Sequence, residues 1–331
     1  MKRYDIYGIG AALVDTEVEV NDAFLASAGI DKGVMTLVDE ARQHELMEHL
    51  STHLVGARRA SGGSAANSVI ATTLFGGRAF FSGKVADDDN GRFYLHDMKT
   101  AGVTTPDGAL PEGITGKCLV MITDDAERTM NTFLGISETL SREQINEDAL
   151  KASHYLYIEG YLVTSPTGRD AAIHARTLAE QHGVKTALSF SDPGIVAHFR
   201  DGLRDMVGAQ LDMVFCNESE AMSWAGTNTL DAAIPALKQA AKTFAVTCGA
   251  KGALLFDGNA LIRVPGFPVK AIDTNGAGDM FAGAFLYAIT HGHCWADAGR
   301  LANLAASHIV THYGPRLPAA AFPQLLAQLN N

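Results

Sequence analysis

The stretch Ala271-Ile272-Asp273-Thr274-Asn275-Gly276-Ala277-Gly278-Asp279-Met280-Phe281-Ala282-Gly283-Ala284-Phe285 sets glycines and two aspartates at the mouth of an apolar run with helical spacing. Two glycines at a helix start let successive main-chain N–H groups converge on one point, and the helix dipole adds about half a positive charge there. That combination makes an anion hole. Asp279 falls in the first turn beside it, placed to take a proton from an attacking hydroxyl while Gly276, Ala277 and Gly278 hold a phosphoryl group in transfer. Most acids at helix starts only cap the helix, so the surroundings decide. Small residues continue at Ala282, Gly283 and Ala284, which predicts a helix that comes close to other backbone.

The chain has 331 residues, 47% hydrophobic and 19% charged, and a chain of this size buries about 75% of its unfolded surface. No Pro/Gly/Ser-rich linker or charge run divides it, so one large domain with a small appendage is expected. A formal charge of −11 without a basic stripe argues against nucleic acid or a membrane surface as partner and leaves room for a small anionic ligand. No apolar stretch approaches the roughly 20 residues that span a bilayer, and MKRYDIYGIG runs straight into strand-like alternation, so a cytoplasmic protein is expected. Cys118, Cys216, Cys248 and Cys294 are widely spaced without C-x-x-C, which predicts reduced thiols. His291-Gly292-His293 and the pair His308 and His312 lack the acid of a zinc motif and are taken as structural or surface residues.

Short β-branched or aromatic runs alternate with helical periodicity. Strands are expected at Tyr4–Gly10, Ala79–Gly83, His154–Ile158, Lys185–Phe190, Met213–Phe215 and Phe244–Thr247. Helices are expected at Ser64–Leu74, Gly91–Thr100, Pro166–His182, Ser219–Ala225, Leu230–Lys242 and Ala277–His291. This order predicts an α/β fold with a mostly parallel sheet covered on both faces and ligands beyond the strands' carboxyl ends. Leu13–Val20 and Lys117–Thr123 alternate with period two instead, which predicts a small β-sheet lid built from about residues 11–38 and 103–135.

Competing motifs fail on their own terms. Gly8-Ile9-Gly10 has Leu13 where a dinucleotide fingerprint needs its third glycine, Gly62-Gly63-Ser64-Ala65-Ala66 has Ala66 where a nucleophile elbow needs glycine, and no P-loop occurs. DTNGAGD at 273–279, with Gly62-Gly63-Ser64-Ala65-Ala66-Asn67 about two hundred residues upstream, resembles the ribokinase-like (PfkB) family of carbohydrate and nucleoside kinases, over essentially the whole chain. The resemblance implies the ribokinase-like three-layer fold, ATP and Mg2+, Asp279 as catalytic base, and Gly276, Ala277 and Gly278 as the anion hole. It also implies Asp15 on ribose-type hydroxyls with Gly62, Gly63 and Asn67 in support.

Asn217-Glu218-Ser219-Glu220 resembles the family's N-x-x-E motif, which implies that Asn217 and Glu220 meet Mg2+ through water; Asn followed by Glu three residues on is equally the pattern of a capping box. Thr247, Gly249 and Gly252 resemble the nucleotide-binding loop, although a glycine-rich turn is as often a plain hairpin. Asn303 and Ser307 match positions near adenine and ribose, and Arg128 on the lid is a candidate phosphate clamp. Asp273, Asn275 and the loop to Gly314 correspond to a monovalent-cation site, for which K+ is the candidate.

DTNGAGD with Asn275, and the stretches Ile158–Pro166 and Phe215–Ala221, look most like the adenosine kinase branch, with Leu13, Met121 and Phe133 as candidates to flank a purine. That branch usually has asparagine where Ala11 stands. The expectation is an ATP-dependent kinase acting on the primary hydroxyl of adenosine, with inosine, guanosine or a free sugar as alternatives, as a monomer or homodimer. A catalytically silent nucleotide or sugar sensor is the reading from another class.

Overall fold

Strand β1 (Tyr4–Ile9) is buried at every position, as a strand must be when the sheet carries helices on both faces. The computed structural model describes residues 2–50 and 58–329. After β1 come β2 (Leu13–Glu19), β3 (Met35–Leu37), β4 (Arg58–Gly62), β5 (Ala79–Ser82), β6 (Thr115–Ile122), β7 (Arg128–Gly135) and β8 (Ser153–Glu159). Then follow β9 (Lys185–Ser189), β10 (Leu211–Asn217), β11 (Ala241–Thr247), β12 (Ala253–Phe256) and β13 (Leu261–Val264).

Eight strands form the main sheet in the order β13-β12-β11-β10-β9-β8-β1-β5. It is parallel from β5 to β11, and β12 and β13 extend it antiparallel. One apolar core joins one face to helices Ser64–Leu74, Ala277–Thr290 and Trp295–Ile309; a second joins the other face to Pro166–Gln181 and its neighbours. This is the expected ribokinase-like three-layer fold. The helix at 277–290 does approach another backbone closely. A Cβ on Gly283 would run into Ser68 O and lie 2.7 Å from the Ala71 Cβ, and Thr72 Oγ1 donates to Gly283 O at 3.0 Å.

The chain leaves β1 for β5 on one side and returns through β8 on the other, so strand order reverses between β1 and β8. Ligands of open parallel sheets bind in the crevice at that point, outside the carboxyl ends. The second sheet, β3-β7-β6-β2-β4, covers this crevice. It departs from the body at Gly10–Ala12 and returns at Gly62-Gly63. It takes β4 from residues 58–62, beyond the two segments expected from alternation, and backs β6 and β7 with helices Asp22–Ser27 and Glu40–His49. Among the described residues no helix is long and apolar enough to cross a membrane.

Candidate active site

A cavity of about 750 Å3 lies between the two sheets and runs along the carboxyl ends of β1, β8, β9, β10 and β11. The turn of 274–279 forms its floor. Gly276 is the N-cap of helix Ala277–Thr290 with φ 71°, a left-handed conformation that a side chain resists, and a Cβ there would also press on Pro315, 2.8 Å from its Cα. Gly278 differs. Beyond its own helix backbone and chain neighbours, nothing lies within 4 Å of where its Cβ would stand, so its bare backbone faces open cavity. A ligand group, not the fold, is what a side chain at 278 would displace.

Asp279 sits at the centre. Ser64 Oγ donates to its Oδ1 at 2.6 Å and Asn67 Nδ2 to its Oδ2 at 3.1 Å, which fixes the plane of the carboxylate. Burial pushes its pKa up, against the Ser64 and Asn67 hydrogen bonds and the charge of Arg128. Both donors belong to the first turn of helix Ser64–Leu74, entered through Gly63 at φ 98°. Asn67 Oδ1 is buried without a hydrogen-bond partner, an acceptor left for whatever enters the cavity.

Asp15 lines the cavity from β2. Its carboxyl occupies the space a Gly62 side chain would fill. Burial raises its pKa well above the usual carboxylate range, and Glu17, Asp279 and Glu159 add to this while Arg316 opposes it. Arg316 itself donates to Asp97 Oδ2 at 2.6 Å and to Ser61 of β4, tying the edge of the small sheet to the body. Glu159, only 1% exposed, ends β8 and accepts the main-chain N–H of Ala11 at 3.2 Å and of Ala65 at 2.9 Å. Burial raises its carboxyl to about 7, with those two hydrogen bonds lowering it and Asp279 raising it further. One buried acid therefore clasps two of the crossings between body and small sheet, the one that leaves β1 and the one that returns after β4.

At the far end, Asn217 and Glu220 form a full capping box: Glu220 N–H donates to Asn217 Oδ1 at 2.8 Å and Asn217 N–H to Glu220 Oε2 at 3.0 Å. They line the cavity all the same. Burial pushes the Glu220 carboxyl up to about 7; the Asn217 N–H opposes this, Asp192 adds to it and Arg128 opposes it. Arg128 is the one cationic side chain among the described residues lining the cavity. Burial works against its charge, but Tyr161, Asp279, Asp192 and Glu220 surround it and hold its pKa up. Thr247, Gly249 and Gly252 lie on the tight connection from β11 to the antiparallel β12, so this loop is a hairpin and a cavity wall at once. Asn303 gives its amide to Val264 O and Pro265 O, both at 3.1 Å, and Ser307 donates to Leu304 O at 2.7 Å; both residues border the cavity.

Residues 29–321 match the pfkB family carbohydrate kinase description. The chain belongs to this family. A probable sugar kinase from Rhizobium etli has the same fold, with TM-score 0.92 and 32% identity over 99% of this chain and 100% of that one. An adenosine kinase from Sinorhizobium meliloti superposes with TM-score 0.91 and 35% identity over 97% and 99%. Among curated proteins, an adenosine kinase from Saccharomyces cerevisiae is 27% identical over 94% of this chain and 96% of its own length. The protein is thus a PfkB kinase, a phosphotransferase acting on hydroxyl groups. Membership implies ATP as donor, with Mg2+.

Two side chains expected at the acceptor wall of this PfkB kinase lie elsewhere. Met121 is fully buried in the outer core of the small sheet with Val18, Leu25 and Leu46, and Phe133 is absent from the cavity lining. Strand parity explains both. On β6, Cys118 faces the cavity, so Met121, three residues on, faces away; on β7, Met130, Thr132 and Leu134 face it, so Phe133 does not. Leu13 does line the cavity, and Met35 and Leu37 of β3 join it. Gly62, Asp273 and Gly314 lie behind the wall, outside the lining; Gly314 N–H donates to Asp273 Oδ2 at 2.8 Å.

Ser64, Glu159 and Asp192 were not singled out by motif. Glu159 had one visible signal, an acid closing the apolar run Tyr155–Ile158 just before a glycine. Three of the four cysteines are buried free thiols, whereas Cys294 is exposed and its Sγ caps helix Trp295–Ile309 by accepting Asp297 N–H at 3.5 Å.

Proposed function

We propose that this kinase phosphorylates the primary hydroxyl of an uncharged, ribose-containing acceptor, the 5′-hydroxyl of adenosine first. The observation that carries the reading is the carboxylate of Asp279, oriented by Ser64 and Asn67 at the mouth of a glycine-lined helix. A carboxylate of raised pKa is a stronger base than an ordinary one, and geometry sets it beside the amides that receive developing charge.

In the proposed sequence the acceptor lies under the small sheet, with vicinal hydroxyls on Asp15 and a further hydroxyl on Asn67 Oδ1. Its primary hydroxyl points at Asp279, which takes the proton. The main-chain amides of Gly276, Ala277 and Gly278 hold the phosphoryl oxygens, and Arg128 neutralises charge from above. Among the described residues no three acidic, histidine or cysteine side chains converge to ligate a metal directly, and the oxygens of Glu220 are taken up by Asn217. Glu220 and Asn217 would therefore meet Mg2+ through its waters, which supply charge neutralisation at the phosphates. Thr247, Gly249, Gly252, Asn303 and Ser307 border the room for the nucleoside part of the donor. K+ beside Asp273, Asn275 and Gly314 is part of the proposal.

Charge argues for a neutral acceptor. Asp15, Glu159 and Asp279 crowd the acceptor end, and Arg128, the one lining cation among the described residues, is assigned in this reading to the donor phosphates. A phosphorylated sugar would meet carboxylates. The apolar side chains Leu13, Met35, Met130 and Leu134 favour a base-bearing acceptor over a bare sugar, which would leave that wall unused. Ala11 offers the cavity no side-chain hydrogen bond, so the base is held mainly by shape. A coupled assay of ADP release with adenosine, inosine, guanosine, ribose and fructose, in Mg2+ with and without K+, tests the reading. Adenosine is expected to give the highest kcat/KM; saturable binding without turnover of any compound would turn the assignment toward a sensor, and a preference for fructose would remove the base.

A further inference from the structure

The small sheet touches the turn of the anion hole through two polar contacts: Thr274 Oγ1 donates to Ala126 O of the β6–β7 connection at 3.3 Å, and the other, buried, reaches Asn275 beside Gly276. Glu17, near the end of β2 and 6% exposed, accepts the side-chain amide of Asn275 on its Oε1 at 3.1 Å. Asn275 is equally buried and directly precedes Gly276. Its main-chain N–H is given to Asp273 Oδ1 at 2.8 Å within the turn, and Asp273 Oδ2 accepts the N–H of Gly314 at 2.8 Å, so the turn is held from below by the body and from above by a carboxylate of the other sheet. Gly314 packs beneath the same carboxylate, where a Cβ would come 3.2 Å from Oε2. Because side chains on a strand alternate, Asp15 and Glu17 project to the same side, roughly 7 Å apart along β2. One short rigid strand thus presents one acid to the acceptor end and the next to the anion hole.

We propose that Glu17 is a positioning residue that makes the anion hole depend on the acceptor. With the small sheet seated over an acceptor held by Asp15, Glu17 fixes Asn275 and with it the direction of the amides at Gly276–Gly278. With the sheet lifted, Asn275 loses this partner and the turn is free to rotate. Acceptor and donor phosphates then bind cooperatively, and the coupling is reciprocal. This rests on the kinase reading above. It goes further in assigning donor–acceptor communication to a single hydrogen bond.

The test is the affinity for the Mg2+ complex of AMP-PNP, by titration calorimetry, with and without a saturating acceptor: adenosine, or whichever panel compound the wild type phosphorylates. In the wild type the acceptor is expected to tighten the analogue by roughly tenfold, within the usual range of site–site coupling. Glu17→Gln, whose Oε1 still accepts from Asn275, keeps most of that factor. Glu17→Ala and Asn275→Ala lose it, and the double variant loses no more than either alone. Thermal melts check folding, and if Glu17→Ala is unfolded the Asn275→Ala and Glu17→Gln pair decides. Undiminished coupling in the alanine variants, no coupling in a wild type that turns over, or Glu17→Gln as uncoupled as Glu17→Ala would each overturn the inference, the last because the charge and not the bond would then matter. A wild type that neither binds the analogue nor turns over any acceptor sinks the kinase reading, and this inference with it.

Discussion

Replacing Glu159 by glutamine should change stability in a direction set by pH. In the folded chain burial raises this carboxyl from an ordinary 4.5 to about 7. An acid whose folded pKa exceeds its unfolded value binds its proton more tightly when folded, so the wild type is penalised as pH rises from about 4.5 to about 7, and the full penalty of roughly 3 kcal/mol persists above that. Glutamine removes the titration. It also keeps only one acceptor oxygen for the two N–H groups of Ala11 and Ala65, and leaving one of them facing an amide costs about 1–3 kcal/mol at every pH. Near pH 5, about where wild-type Glu159 is protonated, Glu159→Gln should be the less stable protein by about 1–2 kcal/mol. Near pH 8 the relief of the buried charge offsets that loss, and the variant should be about equal to the wild type or up to roughly 2 kcal/mol more stable. Groups that do not feel Glu159, Glu220 among them, are common to both proteins and cancel, while Asp15, whose carboxyl Glu159 pushes up, is relieved in the variant in the same direction. Urea denaturation of both at the two pH values gives the difference directly. A gap between wild type and variant that moves by less than about 0.5 kcal/mol would refute the idea that Glu159 is held near neutrality by burial.

Asp279→Asn should lower kcat by roughly 10²- to 10⁴-fold with the far-ultraviolet circular dichroism unchanged, and turnover within tenfold of wild type would remove Asp279 as the base. Because burial raises its carboxyl above the ordinary carboxylate value, wild-type kcat/KM should fall as pH drops through a range above that ordinary value, a limb the variant should lack. Gly278→Ala should leave the melting temperature within about a degree while weakening the Mg2+–AMP-PNP complex, whereas Gly276→Ala, at φ 71° and against Pro315, should cost about 1 kcal/mol or more of stability; equal melting losses would place Gly278 among the packing glycines. Met121→Ala should destabilise by about 2–5 kcal/mol without moving acceptor KM, and Met130→Ala should raise acceptor KM with a smaller stability loss. The reverse pattern in steady-state kinetics and melts would mean that the faces of β6 and β7 are assigned the wrong way round.

The parts of the site carried by contiguous backbone were legible in the sequence. DTNGAGD and Gly62–Asn67 each describe a local shape, a glycine-opened helix start, and the structure brings the two starts together with Ser64 and Asn67 on Asp279. The parallel core strands were legible because burial on both faces demands apolar runs. Sidedness in the small sheet was not. A period-two pattern shows that a strand has two faces without naming the one that meets ligand, and on β6 both faces are apolar because each covers its own core. Met121 and Phe133 fell on the wrong side for that reason. Glu159 escaped because its partners are main-chain N–H groups at 11 and 65, which no side-chain spacing displays. The hairpin β12–β13 and the helix Glu40–His49 are short, and their pairing is settled by tertiary contacts that local pattern does not carry.

The acceptor wall and the transfer machinery draw largely on different cores, joined where Val14 and Met35 meet the body. Met121, Val18, Leu25 and Leu46 support the small sheet from outside, separately from the two large cores that clamp the main sheet and hold the helix of Asp279. The inner faces of β2 and β6 rest on a further small cluster of Leu13, Cys118, Val120 and Ile122, so changes there spend the tolerance of the cover and not that of the frame. For a lineage of enzymes, this arrangement lets taste in alcohols drift while the chemistry stays inherited intact.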